Sequence, residues 1–452
     1  MVRRMVLQKD LETTAELGAP VFLDGIRKNL DPAWIDEALE ATGTATLRRR
    51  RLPSEQVIWL VIGMALYRDR PITDLVAKLD LSLPGRRGPV VAPSAIPKAR
   101  QRVGEDPLRW LFERTAREWA HRSADRHRWR GLAVYGFDGS SLRTPDTQEN
   151  LDAFGRSNGA RGEGGFPMIR LVALQALRSH LIADTCLGGF NDVSEIGLAE
   201  KLFDQIPDDS VTIVDRNFVN ARMLIPMMEA GSNRHWIVRK RSKMRWKEIE
   251  HLADGEWIVE MKVSRQLLAK DPTLPKTWRA RAINWGGAKG RLPRYYLTSL
   301  LDHEKYPAEE IVAMYRERWE IELGFDEVKT KMLDSESTLR SKSPEGVRQE
   351  LWGILLTYNL LRVEIEAVAD EAKVEPTSIS FLMSMRQIQD EWMWAAHTSP
   401  GAIPKHLKKL REDIKSFILP PRRSERSYER AVKIKMSSYP RKRSKLKRKA
   451  AK

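Results

Sequence analysis

The apolar positions along this chain change their period twice. From residue 1 to about 130 they recur at helical spacing in short runs. Asp31–Thr42 opens on Asp31 and Pro32, a proline suited to a first turn. Glu55–Arg68 is apolar along most of its length, with Ser54 placed to cap it. Ile72–Leu79 and Ser94–Val103 read as short amphipathic helices on either side of the Pro/Gly loop Leu83–Pro93. Near Gly131 the pattern becomes that of strands. Leu132–Asp138 and Val211–Asp215 are buried-strand runs that each end in an acid, and Ile169–Ala176, His180–Thr185 and His235–Lys240 are further strands. Ser194–Gln205 and Val219–Glu229 read as helices between them. Gly155–Gly165 holds five glycines and is expected to be a mobile loop; it lacks the GK[ST] ending of a nucleotide P-loop. Glu256–Val263, Thr277–Trp285 and Arg294–Ser299 are strand candidates, with turns at Asp271–Lys276 and Gly286–Arg291. Helical spacing returns at Pro307 and continues through the long apolar stretch Val347–Ala367 to about Phe417. The expected architecture is an α/β core over 131–240 and 306–418, interrupted by a β-rich insertion at 241–305. An all-helical segment at 1–130 precedes it, and 419–452 follows as a tail.

Within the last helical region, Tyr315–Lys329 reads YRERWEIELGFDEVK. At about 100° per residue, Tyr315, Arg318, Glu322 and Lys329 share an arc of about 60° on one continuous helix. Met314, Ile321, Phe325 and Met332 flank that arc on one side; Val312, Trp319 and Leu323 flank it on the other. Arg316, Glu317, Glu320, Glu327 and Lys331 form the opposite, solvent face. A polar line between two apolar stripes is expected to face inward, and buried charges need partners, metals or a task.

Composition adds bounds. The chain has 452 residues, 31% charged and 42% hydrophobic, enough for two or three domains and a sizeable core. The single cysteine, Cys186, excludes an internal disulfide framework and a cysteine-based zinc site, and reads as a core residue. The longest apolar run, Val57–Leu66, is too short to span a bilayer, and no signal-peptide pattern follows the early arginines. The expectation is a bacterial cytoplasmic protein without a membrane partner. Of the net charge of +17, Pro421–Lys452 carries +12 through 14 Lys/Arg against 2 acids. That tail reads as a disordered, phosphate-contacting arm or as a solubilising one. The N-terminal helices, with Lys98, Arg100 and Arg102, fit a DNA-binding bundle and, slightly better on sequence alone, an ordinary helical domain with a solvated basic face.

The candidate chemistry is carboxylate chemistry. Asp138 and Asp215 end two strands, and pairing those strands would bring both to one sheet edge. Glu322 on the late helix would complete a set of three, with Asp326 as its nearest rival about 20° outside the arc. Three carboxylates without a cysteine or histidine cluster suit Mg²⁺ or Mn²⁺ rather than zinc. Two such ions about 4 Å apart hold the attacking and leaving oxygens of a phosphoryl displacement.

The Tyr315–Lys329 segment resembles the Y-(2)-R-(3)-E-(6)-K signature of the insertion-sequence-4 family of DDE transposases. Asp138-Gly139-Ser140 and Asp215-Arg216-Asn217-Phe218 resemble its two Asp motifs, the second usually written D-R-G-F. The stretch RRRRLPSEQVIWLVIGMALYRDR resembles the family's N-terminal domain, and the resemblance covers roughly residues 20–370. Asn217 stands where glycine is common; asparagine is the next most tolerant residue for a left-handed backbone. The resemblance implies a ribonuclease-H-like core with a β-rich insertion between the second Asp and the Glu, which fits the 107 residues from Asp215 to Glu322. It implies that Asp138, Asp215 and Glu322 are catalytic ligands of two Mg²⁺ or Mn²⁺ ions. Tyr315, Arg318 and Lys329 are implied to contact DNA phosphates. The family also implies a hairpin step with a flipped base stacked on an aromatic ring, for which Trp246, Trp257, Trp278 and Trp285 are candidates.

The leading expectation is a DNA transposase performing cut-and-paste at terminal inverted repeats, its helical N-terminal domain reading the ends and two protomers pairing them as a homodimer. The alternatives are a nuclease on the same fold without strand transfer, a domesticated copy that only binds DNA, and, least favoured, an RNA-binding protein.

Overall fold

The computed structural model describes residues 29–45, 52–79, 81, 91–159, 162–286, 294–334, 338–395 and 403–420. The basic tail, the arginine run before Leu52, the loop arginines Arg86 and Arg87, and the turn after Gly286 lie outside these residues.

The N-terminal helices are α1 (Pro32–Ala41), α2 (Ser54–Leu66), α3 (Ile72–Lys78), α4 (Ala95–Val103) and α5 (Asp106–Arg126). Asp31 caps α1 by accepting the Ala33 N–H at 2.9 Å. Ser54 does not cap α2 as expected: Pro53 holds the cap position, and the Ser54 hydroxyl donates to the Thr44 carbonyl at 2.7 Å. Nor is α4 a free basic face. Lys98 is exposed, but Arg100 turns inward to the Gln349 side chain at 2.8 Å and Arg102 to the Leu52 carbonyl at 2.8 Å.

The strands are β1 (Ala133–Arg143), β2 (Arg156–Gly159), β3 (Gly162–Ala176), β4 (Ile182–Gly189), β5 (Ser210–Val214), β6 (Arg234–Arg239), β7 (Lys247–Ala253), β8 (Glu256–Lys262), β9 (Thr277–Trp285) and β10 (Arg294–Thr298). They form one mixed sheet in the order β2-β3-β1-β5-β6-β10-β9-β8-β7, with β4 also paired to β3. β1, β3 and β4 are antiparallel neighbours, whereas β1, β5 and β6 run parallel. The parallel pairs need crossovers. These are α7 (Glu195–Ala199), continued by a 3₁₀ turn over Glu200–Gln205, and α8 (Ala221–Glu229), which Asn220 caps; the short α6 (Gln148–Phe154) precedes β2. The glycine-rich stretch is therefore not a loop: β2 and the start of β3 pair there, Arg156 opposite Pro167 and Gly159 opposite Gly162.

Alternation along the strands loads both faces of the sheet. Val211, Ile213 and Ile237 pack on one face with Ile311, Met314 and Ile321; Val214, Trp236 and Val238 join the larger core on the other. The strands of 241–305 extend the same sheet beyond β6, with the short α9 (Arg265–Lys270) between β8 and β9. The late helices are α10 (Ala308–Arg316), α11 (Trp319–Asp326), α12 (Pro344–Ala372), α13 (Phe381–Ala395) and α14 (Ile403–Lys415). At 29 residues α12 spans about 44 Å and is buried along most of its length. The N-terminal helices lock onto it through ion pairs, including Arg68 with Glu350 and Arg126 with Glu366. Among the described residues no helix is long and apolar enough to cross a membrane.

Candidate active site

The parallel pairing of β1 and β5 sets Phe137 opposite Val214. The next residue on each strand is an aspartate, so Asp138 and Asp215 are neighbours across the sheet, about 4.8 Å apart along the pairing direction. Their positions differ from expectation in one respect. Asp215 follows the end of β5, but β1 continues to Arg143, so Asp138 lies mid-strand, opposite Ala173 of β3. Both carboxylates are held by local backbone. Asp138 Oδ1 accepts the Gly139 N–H at 2.8 Å, and Asp215 Oδ2 accepts the Asn217 N–H at 3.4 Å in a 3₁₀ turn over Arg216–Phe218. Asn217 is not among the residues with positive φ, so this turn needs no left-handed residue at that position.

The Tyr315–Lys329 segment is not one continuous α-helix. It comprises the end of α10, a tight turn, α11, and a π-helical stretch over Glu327–Met332. In the turn, Glu317 N–H bonds Met314 O at 2.9 Å and Glu320 N–H bonds Glu317 O at 2.9 Å, a 3₁₀ pattern that advances the chain faster than an α-helix. The predicted faces are accordingly exchanged in part. Trp319 and Leu323, expected inside, are 56% and 37% exposed. Glu317, Glu320 and Glu327, expected in solvent, turn inward and pair with Arg178, His180 and Arg362.

The signature residues make contacts of their own. Arg318 Nη1 donates to Glu322 Oε1 at 2.5 Å, and its guanidinium lies 4.9 Å from the Trp319 ring centre. Lys329 Nζ donates to Ser140 Oγ at 3.1 Å, two residues beyond Asp138. Tyr315 packs edge-on against Tyr296 at 5.2 Å; burial pushes its phenol up to about 12, with Arg318, Asp215 and Arg239 in electrostatic reach. Asp326, the rival carboxylate, accepts from the Thr330 hydroxyl at 2.6 Å and lies 3.8 Å from Lys331, outside this arrangement.

Burial raises the Asp138 carboxyl to about 6, opposed by the Gly139 N–H and reinforced by Glu195, Asp215 and Glu322. Glu195, at the start of α7, escaped the sequence reading. A Cβ on Gly139 would sit 2.4 Å from Glu195 Oε1, so a larger residue there requires the Glu195 side chain to move. Arg239 also escaped it: as the last residue of β6 it carries no motif, and only the sheet order brings it near Tyr315. An all-oxygen donor set with mutual repulsion suits a hard divalent cation. With Glu322 held by Arg318, the carboxylates stand apart: among the described residues no group of three or more His, Cys, Asp or Glu is close enough to hold a metal ion.

Of the four tryptophans, Trp278 packs on Trp236 at 5.7 Å, Trp257 on His251 at 5.9 Å, and Trp246 on Tyr295 at 5.4 Å with Lys240 over its ring. Trp285, at the end of β9, is 38% exposed.

Comparison with known proteins places the chain among transposases. Residues 21–113 match the family profile described as insertion element 4 transposase N-terminal, and residues 134–360 match the transposase DDE domain. The chain is 39% identical over 412 residues to transposase InsG for insertion sequence element IS4 of Escherichia coli (strain K12), covering 91% of this chain and 92% of that one. It is 38% identical over 216 residues to putative transposase InsZ of the same organism, covering 47% and 69%. A solved piggyBac transposase synaptic complex with hairpin DNA covers 90% of this chain and 87% of its own, at 12% identity and a TM-score of 0.43. The chain therefore belongs to the insertion element 4 family of DDE transposases, enzymes that cut and join DNA strands with divalent metal ions.

Proposed function

We propose that Asp138, Asp215 and Glu322 are the catalytic carboxylates of this transposase. They would hold a pair of Mg²⁺ or Mn²⁺ ions for cut-and-paste transposition at terminal inverted repeats. The observation that carries this reading is the register of β1 on β5, which makes the two aspartates neighbours, together with the electrostatic reach of Glu322 and Asp215 at Asp138. The ions, when bound, supply activation of the attacking oxygen and charge compensation at the phosphate.

The chain's own residues do the rest. Arg318 offers a planar pair of donors to a phosphate, Lys329 a point charge beside Ser140, and Tyr315 a phenolic donor held by Tyr296. Arg239 joins this phosphate-binding group by its proximity to Tyr315. Arg318 cannot serve phosphate and Glu322 fully at once, so DNA competes for the guanidinium and leaves Glu322 available as a ligand. Trp319 and Trp285 are the exposed indoles on which an extruded base can stack. Residues 1–130 form the end-reading domain, 131–240 and 306–418 the ribonuclease-H-like core, 241–305 the insertion, and 419–452 a basic arm that adds salt-sensitive contacts. The working unit is a homodimer that pairs two ends, acting in the cytoplasm.

The test is strand cleavage of an oligonucleotide carrying the cognate end, with Mg²⁺. Glu322→Gln is expected to bind that DNA and leave it uncut, while Asp326→Asn cuts like the parent. Cleavage by Glu322→Gln at the parental rate would remove Glu322 from the site. Joined products separate transposition from simple nuclease action.

A further inference from the structure

Behind the signature residues lies a buried ionic cluster that the reaction does not touch. Glu327 is about 140° around the helix from Glu322, so the two carboxylates point to opposite sides of one element. Glu327 accepts from Arg362 Nε at 3.0 Å, from Arg362 Nη2, and from the Tyr358 hydroxyl at 2.8 Å; Arg362 and Tyr358 lie one turn apart on α12. Burial opposes its charge, but Arg362 and His180 hold its carboxyl well below the usual range. His180 sits in the connection from β3 to β4 with a left-handed φ of 63°. Its Nδ1 lies 2.6 Å from Arg362 Nη2 and 3.3 Å from Glu327 Oε2, and its Nε2 lies 2.9 Å from Glu320 Oε2. Gln175, on the same hairpin, donates to the His180 carbonyl at 2.9 Å. Its amide presses on α11 where a Cβ at Gly324 would lie 2.3 Å from Nε2. A bidentate Arg178–Glu317 pair, both bonds 3.0 Å, completes the anchorage.

These contacts form one mechanical path. Asp138 is paired to Ala173 of β3; β3 runs to the hairpin end at Arg178 and His180; that end grips Glu317, Glu320 and Glu327; and the opposite face of the same segment carries Glu322 and Lys329. Apolar side chains of equal volume would fill this space at no greater cost in stability, since burying charges is expensive. What the ionic cluster adds is direction, because each bond fixes an orientation as well as a distance. The π-helical stretch begins at Glu327, and Lys329 leaves it toward Ser140.

We infer that Glu327, Arg362 and His180 are positioning residues for strand cleavage, anchoring the back of this segment so that Glu322 and Lys329 stand at a fixed distance from Asp138. The inference rests on the assignment of Glu322 and Asp138 made above. Two variants of the full chain test it. Glu327→Leu with Arg362→Met removes both charges and keeps the volume, and His180→Asn keeps a residue tolerant of left-handed backbone while losing the bond to Glu320. Both are expected to keep a cooperative thermal transition and bind an end-bearing oligonucleotide within about threefold of the parent. Mn²⁺ affinity of the DNA-free protein, measured by calorimetry, is expected to fall about tenfold, and the single-turnover cleavage rate by about tenfold to a hundredfold, the range for residues that orient ligands from behind. Parental Mn²⁺ affinity and cleavage in the double variant would overturn the inference, as would loss of DNA binding in proportion to cleavage. If the parent does not cut, the functional assignment fails, and the Mn²⁺ titration still decides the positioning role.

Discussion

Arg318 holds the Glu322 carboxylate at 2.5 Å from one turn earlier in the chain, with the guanidinium only 12% exposed and the carboxylate 38% exposed. In the proposed function Arg318 takes phosphate and Glu322 takes a metal ion, so each would exchange this partner for another on DNA and metal binding. Arg318→Gln is therefore expected to act in two directions. It should weaken binding of end-bearing DNA by about 1.5–3 kcal/mol, the worth of a charged hydrogen bond. It should also strengthen Mn²⁺ binding by the DNA-free protein, because Glu322 is released. Fluorescence anisotropy and calorimetry read the two effects separately.

With Asp138 as a metal ligand, as proposed, metal binding is expected to depend on pH. The Asp138 carboxyl is raised to about 6 by burial and by Glu195, Asp215 and Glu322, and the proton must leave before a cation enters. Mn²⁺ affinity is expected to weaken as pH falls from 7 to 5, with about half a proton released per ion at pH 6 and nearly one at pH 5. Glu195→Gln removes one repelling charge and should move the midpoint down. Titrations in buffers of different ionisation enthalpy give both quantities.

Gly139→Ala tests the close approach of Glu195 to the first aspartate. The added Cβ would meet Glu195 Oε1 at 2.4 Å, so either the carboxylate swings away or β1 shifts against β3. Cleavage should fall by more than tenfold, with at most a few degrees lost in Tm; overpacking at a fixed backbone costs about 1–3 kcal/mol.

The exposed indoles are separable from the half-buried one. Trp319→Ala and Trp285→Ala should leave Tm nearly unchanged, since surface changes stay within about 0.5 kcal/mol. If either stacks on a base, hairpin formation or end binding falls by about 1–3 kcal/mol. Trp278→Ala removes a ring packed on Trp236 and should lower stability by about 3 kcal/mol or more.

Acid should loosen the ionic cluster. The Glu327 carboxyl lies near 2 in the folded chain against an ordinary 4.5, so its stabilising effect is complete above about pH 4.5 and is lost as pH falls toward 2. The wild-type Tm is expected to drop through that window more steeply than that of the Glu327→Leu/Arg362→Met protein, by an amount on the order of 3 kcal/mol in stability.

The sequence made some of this site legible because its signals are local. A strand ending near an aspartate is visible in five or six residues; the parallel pairing that joins Asp138 to Asp215 is not, because β2, β3, β4 and α7 intervene between the two strands. The spacing of Tyr315, Arg318, Glu322 and Lys329 picked out residues with cross-contacts in the fold: Arg318 bonds Glu322, and Lys329 reaches Ser140 two residues from Asp138. The inward face was misjudged, because helical periodicity assumes an unbroken helix, and neither the 3₁₀ turn near Glu317 nor the π stretch from Glu327 has a compositional marker. Glu317, Glu320 and Glu327 look like solvent residues until their partners, Arg178, His180 and Arg362, are known, and those lie 139, 140 and 35 positions away. Glu195 and Arg239 were hidden for the same reason: each reaches the site through sheet order, which one strand does not reveal. The glycine-rich stretch misled in the other direction, since its backbone pairing compensates for its poor strand propensity.

The sheet order bears on how far this chain can be pared down. β6 is flanked by β5 on one side and by β10 on the other, and β10 comes from the far end of the segment between the second aspartate and the glutamate. Excising residues 241–305 would strip β6 of that neighbour and leave a bare edge carrying Trp236 and Val238, a template for aggregation. The insertion is thus the selvedge of the catalytic sheet, and a minimal enzyme made by trimming it would be expected to precipitate before it could be assayed.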